Sequence, residues 1–178
     1  MNKHAIALAA LVITAAAGCV RLPTGVEPVS PFDAERYLGT WYEVARLDHG
    51  FERGLSQVTA EYKEAADGSI SVINRGCNAE KKQWDQAEGT ARFVEDDNTG
   101  YLKVSFFGPF YGTYAVFGLD DDYQHAYVSG PNHDYLWLLA RDPNPDAEVK
   151  QAFVEAARQR GFAVEDLIWV EQGNSACP

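Results

Sequence analysis

Between Gly39 and Arg141 the chain breaks into eight short stretches, each apolar at alternate residues or throughout and each closed by a turn signal. They cover residues 41–47, 58–63, 70–75, 89–94, 102–106, 114–119, 126–130 and 135–141. Stretches this short cannot bury a helical stripe, so they read as strands joined by hairpins. Ala66-Asp67-Gly68 and Asp96-Asp97-Asn98-Thr99-Gly100 supply two of the turns, and Gly108-Pro109-Phe110-Tyr111-Gly112 is expected to break the run between the fifth and sixth strands. A non-periodic loop at 48–55, holding His49, Phe51 and Arg53, separates the first two strands.

The strands are not all alike. Val58, Ala60 and Tyr62 alternate with polar residues, so one face of that strand is wet. Residues 114–119 and 136–140 are apolar on both faces and need an outer cover. A helix from Pro145-Asp146 to Gly161 can supply it, with Val149, Phe153 and Ala156 as its apolar stripe. A last strand is expected at 167–170. The fold class is therefore all-β: an eight-stranded antiparallel up-and-down barrel, one C-terminal helix outside it and a short extra strand. Within it Trp41 needs a deep seat, and the guanidinium of Arg141, at the end of the eighth strand, can lie across an indole.

The chain carries 15 Lys+Arg against 26 Asp+Glu, a formal charge of −11, with no basic stripe to offset it. That surface excludes a nucleic-acid partner. Lys3 and His4 precede an apolar run at 5–17 that is too short to span a bilayer and leads to small residues, the pattern of a signal peptide at 1–18. Ala16-Ala17-Gly18-Cys19 resembles the lipobox of bacterial lipoproteins, which implies acylation of Cys19, as by palmitate, and Val20 after it implies the outer membrane. Residues 19–31, with three prolines, then read as a lipidated tether and 32–178 as the folded domain. With Cys19 acylated, Cys77 and Cys177 remain as a pair in an oxidising compartment.

No G-x-S-x-G, H-E-x-x-H, phosphate loop or C-x-x-C occurs, and the four histidines lack metal-ligand spacing. No catalytic residue, metal or cofactor is therefore expected. Asp120-Asp121-Asp122 reads as a solvated hairpin tip.

These stretches together are similar to the lipocalin family. Gly39-Thr40-Trp41-Tyr42 matches its G-x-W-Y signature, and Asn132-His133-Asp134-Tyr135 stands at its T-D-Y motif with His133 in the threonine position. Arg141 matches the arginine that covers the signature tryptophan at the closed end. Residues 46–55 and 105–112 resemble the bacterial outer-membrane lipocalins, relatives of apolipoprotein D and the plant temperature-induced lipocalins. The resemblance covers about residues 32–170 and implies a calyx holding one apolar ligand, a fatty acid or lysophospholipid. Tyr62, Phe93, Val104, Tyr114, Tyr135 and Trp137 are the expected ligand contacts, with Arg46, His49 and Arg53 as rim cations for an anionic headgroup and Phe51 beside them. It also implies a Cys77–Cys177 disulfide: in apolipoprotein D a cysteine at the place of Gln57 bonds the C-terminal one, and antiparallel counting sets Cys77 nearly opposite Gln57. The expected protein is lipid-anchored in the bacterial outer membrane, facing the periplasm, with homodimer formation left open. The alternatives are a lipocalin-fold enzyme using Cys77 as nucleophile and a structural envelope lipoprotein that binds nothing.

Overall fold

The computed structural model describes residues 20–173 and Cys177; the expected signal peptide and the expected acylation of Cys19 lie outside them. A short helix, α1 (Ala34–Tyr37), is capped by Asp33, whose carboxylate accepts from the Arg36 N–H. Eight strands follow: β1 (Gly39–Arg46), β2 (Leu55–Glu64), β3 (Ile70–Asn78), β4 (Gln83–Phe93), β5 (Tyr101–Phe107), β6 (Phe110–Leu119), β7 (His125–Ser129) and β8 (Leu136–Ala140). Helix α2 (Ala147–Gln159), a 3-10 turn (Val164–Asp166) and β9 (Ile168–Trp169) complete the chain.

Each strand pairs antiparallel with the next, and β1 closes the cylinder by pairing with both β2 and β8. The pairing of β1 with β2 runs only from Gly39↔Tyr62 to Tyr42↔Thr59. Beyond it, Ala45 and Arg46 pair with β9, and Gln172 donates to the carbonyls of Glu43 and Val58. The tail thus fills a split between two neighbouring staves.

Two strands outrun their sequence pattern. Residues 76–88, for which no strand was expected, extend β3 to Asn78 and start β4 at Gln83. Their side chains are largely exposed beyond the core, so no apolar period marks them. Gly108–Pro109 is a tight hairpin tip rather than a break, with Phe107 paired to Phe110, so β6 starts at Phe110.

Strand alternation produces two apolar layers. Trp41, Ala60, Tyr62, Val72, Leu102 and Val116 face inward, whereas Ala45, Ala115, Phe117, Leu136 and Leu138 face out. Helix α2 covers part of the outer layer through Phe153 and Ala157, one residue on from the expected Ala156, and Phe153 meets Tyr127 edge-on at 5.2 Å. The N-terminal segment covers more of it. Residues 20–31 lie along the barrel wall instead of standing off as a tether: the Arg21 N–H donates to Thr113 Oγ1, that hydroxyl donates back to the Arg21 carbonyl, and the Val29 N–H donates to the Val116 carbonyl. Val20, Leu22 and Val26 pack on the outer layer, which removes their apolar surface from water.

Cys77 and Cys177 are joined, with Cα atoms 5.8 Å apart across a sequence separation of 100. A loop that long contributes about 4–5 kcal/mol in the chain-entropy account. Cys77 faces Ser56, and the register shifts where Gln57 takes φ +50°.

Candidate functional site: the barrel interior

The barrel is shut at one end. Trp41 is fully buried on β1, its Nε1 donating to the Tyr37 carbonyl at 2.8 Å. The Arg141 guanidinium sits 3.9 Å from the indole ring centre and donates to the carbonyls of Arg36, Tyr37, Leu38 and Thr40. Those carbonyls end α1 and enter β1, so one planar cation binds a chain reversal to an aromatic base. Gly39 makes this approach fit: it sits at φ +95°, and a β-carbon there would lie 3.3 Å from the guanidinium.

Above this floor lies a chamber in two connected parts. The deeper part is a narrow slot of about 90 Å³ bounded by Tyr62, Val72, Leu102 and Tyr114. The upper part, of about 570 Å³, opens to solvent and is bounded by Phe106, Tyr135 and Trp137 among others, within the range of small-ligand cavities. Val58, Val104, Phe106 and Trp137 line both parts. The slot ends on three phenols: Tyr114 Oη lies 2.6 Å from that of Tyr37 and 2.8 Å from that of Tyr62. Burial pushes all three pKa values up, so the phenols stay protonated and neutral.

The loop between β1 and β2 closes one side of the mouth through a buried charge cluster. Arg46 Nη1 bonds Glu43 Oε1 at 2.5 Å, and its Nη2 donates to the carbonyls of Glu52 and Leu55. Glu52 Oε2 accepts from Trp137 Nε1 at 3.0 Å and lies 3.0 Å from His49 Nε2. His49 stacks on Phe51 with ring centres 4.0 Å apart. The expected rim cations are therefore corrected. Arg46 is buried against Glu43, His49 is buried with its Nε2 3.0 Å from Glu52, and Arg53, though exposed, pairs with Asp48 at 2.7 Å. A basic residue near the end of a strand was read as facing water, but the loop folds back over it.

Burial holds Glu43 well above the usual carboxylate range, and neighbouring Glu52 adds to this. For Glu52 burial also pushes upward, but His49, Trp137 and Arg46 outweigh it and the pKa is lowered. The cluster thus keeps Glu52 ionised against Arg46 and favours a proton on Glu43. The two groups act with opposite sign on stability. Glu52, with its folded pKa depressed, adds stability above its unfolded value that is lost as pH falls through the folded one. Glu43, with its folded pKa raised, adds stability below its unfolded value that is lost as pH rises through the folded one. Glu43→Gln is therefore expected to raise the Tm relative to the parent at pH 8 more than at pH 4, and Glu52→Gln to lower it at pH 8. Thermal unfolding at both pH values checks this; an identical pH profile for Glu43→Gln and the parent would contradict the assignment.

Tyr62, Val104, Tyr114, Tyr135 and Trp137 all border the chamber, although Tyr135 borders only its upper part. Phe93 does not. It faces inward below the slot and packs edge-on against Phe32 at 6.2 Å, closing the base. Glu43, Glu52 and Asn74 also border the chamber and were missed; no alternation marks a polar residue as facing inward. Cys77 is fully buried in its disulfide, so the enzyme alternative has no free thiolate there. His133, at the altered motif position, lies 3.2 Å and 2.8 Å through Nε2 from the carbonyls of Thr24 and Arg160, tying the N-terminal segment to the end of α2. Asp120 is a turn cap rather than a solvated acid, its carboxylate accepting from the N–H groups of Asp122, Gln124 and His125.

A closed eight-stranded barrel, sealed at one end and hollow at the other, defines a β-barrel cup with room for one small apolar molecule. The Lipocalin-like domain family matches residues 32–172, and the chain belongs to the lipocalin family. It is 58% identical over 156 residues to the outer membrane lipoprotein Blc of Vibrio cholerae, covering 87% of this chain and 91% of that one. It is 32% identical over 151 residues to temperature-induced lipocalin-1 of Arabidopsis thaliana, covering 80% of each. Insecticyanin from the tobacco hornworm shares the fold with a TM-score of 0.70 at 20% identity, covering 88% of this chain and 89% of that one.

Proposed function

We propose that this protein carries or stores a single-chain lipid, a fatty acid or lysophospholipid, in the barrel chamber while anchored through acylated Cys19 in the outer membrane, facing the periplasm. The observation that carries the reading is the continuity of the apolar slot with the wider mouth past Val104 and Phe106. The Vibrio cholerae relative named an outer membrane lipoprotein supports the location. An acyl chain enters tail first. Each methylene that leaves water contributes about 0.8 kcal/mol before ordering costs. Glu52 borders both parts of the chamber and is ionised, so it repels an anionic headgroup from either and leaves it at the outer rim.

Titrating delipidated protein with a fluorescent fatty acid tests this. Saturable one-site binding is expected, and its absence would overturn the proposal. Val104→Trp, placed where slot and mouth meet, is expected to weaken binding at least tenfold for a long chain. The added volume strains the wall by about 1–3 kcal/mol, so a Tm accompanies each titration.

A further inference from the structure

Three large apolar side chains are exposed at the mouth: Phe107 at 80%, Phe110 at 75% and Phe51 at 63%. One comes from the loop after β1 and two from the tip of the β5–β6 hairpin, yet all three border the upper chamber. Aromatics left in water around an opening mark a surface meant to be covered. The turn joining β3 to β4 lies at the same end of the barrel and exposes Lys81 and Lys82, with Glu80 beside them. On a chain of charge −11 this local positive balance stands out.

The start of the folded chain says what covers them. Arg21 is bonded to Thr113, three residues along β6 from Phe110, and the segment then runs away from the mouth, reaching the level of Val116 at Val29. Three strand residues span about 10 Å. Cys19 stands two residues before Arg21, within about 7 Å by backbone reach. The chain is therefore bonded to the side wall close beneath the open rim from Arg21, two residues after the proposed point of acylation. We infer that the mouth docks face-down on a phospholipid bilayer, with Phe51, Phe107 and Phe110 dipping among the acyl chains and Lys81 and Lys82 meeting anionic headgroups. A lipid chain then passes between bilayer and chamber without crossing water. This orientation rests on the carrier reading.

The test uses the mature acylated protein in phosphatidylethanolamine/phosphatidylglycerol vesicles. A Phe110→Trp variant is expected to show fluorescence beyond that of the parent, quenched by lipids brominated on their acyl chains. Quenching no greater than for the parent would overturn the docking. In the non-acylated Cys19→Ser chain, Phe107→Ser/Phe110→Ser is expected to lower vesicle partitioning at least tenfold in flotation. An unchanged partition, together with conversion of a dimer to a monomer on sedimentation, would assign the aromatics to a contact between two copies and overturn the proposal. Fatty-acid titration of the parent in vesicle-free buffer judges the carrier reading separately: failure there removes the transfer route, whereas the vesicle readouts report the docking alone.

Discussion

Trp41→Ala is expected to cost about 3–5 kcal/mol of unfolding free energy, the range for deleting a fully buried large aromatic. The position favours the upper end. The indole carries Arg141 on one face and packs against Tyr37 with ring centres 4.9 Å apart. Its loss leaves a void at the closed end and removes the base on which Arg141 holds four main-chain carbonyls. Trp41→Phe refills part of the space and is expected to recover more than half the loss. Urea unfolding of the three proteins measures this, and a cost below about 1 kcal/mol for Trp41→Ala would show that the end is closed by other contacts.

Arg46→Met is expected to be comparably damaging, about 3–5 kcal/mol, because it takes the buried cation away from the ionised Glu52 and removes the donor that Glu43 holds. Glu43 loses its side-chain partner, Glu52 loses a nearby positive charge, and the carbonyls of Glu52 and Leu55 lose their donor. The loop beside the mouth is held down by these bonds, so its backbone amides are expected to exchange faster in the variant. Combining Arg46→Met with Glu43→Gln and Glu52→Gln removes the buried charge and is expected to recover part of the stability. No recovery would mean that Arg46 acts through packing of its stem rather than through its charge.

The barrel was legible because short stretches, apolar at alternate residues or throughout, recur between turn signals, and Leu102, Lys103 and Val104 state the alternation without ambiguity. Trp41 and Arg141 were legible through their motifs, and α2 through its caps. Three things did not show. Residues 76–88 lie beyond the core, so their strands have no face to advertise. The segment at 20–31 covers apolar wall without regular structure, and its prolines resemble those of a linker. The cluster of Glu43, Arg46, His49 and Glu52 depends on a loop folding back, and nothing in residue spacing distinguishes a charge beneath a loop from one in water. The chamber residues were found where they alternate with polar neighbours and misjudged at Phe93, whose inward direction is right but whose depth along the barrel no pattern encodes.

The split between the first two staves gives the vessel a seam in its wall. Its upper half is held by a removable strip, the tail from β9 onward, whose far end is pinned to β3 by sulfur. Cutting that pin removes the strip's one covalent tie to the wall and leaves the seam closed by hydrogen bonds alone.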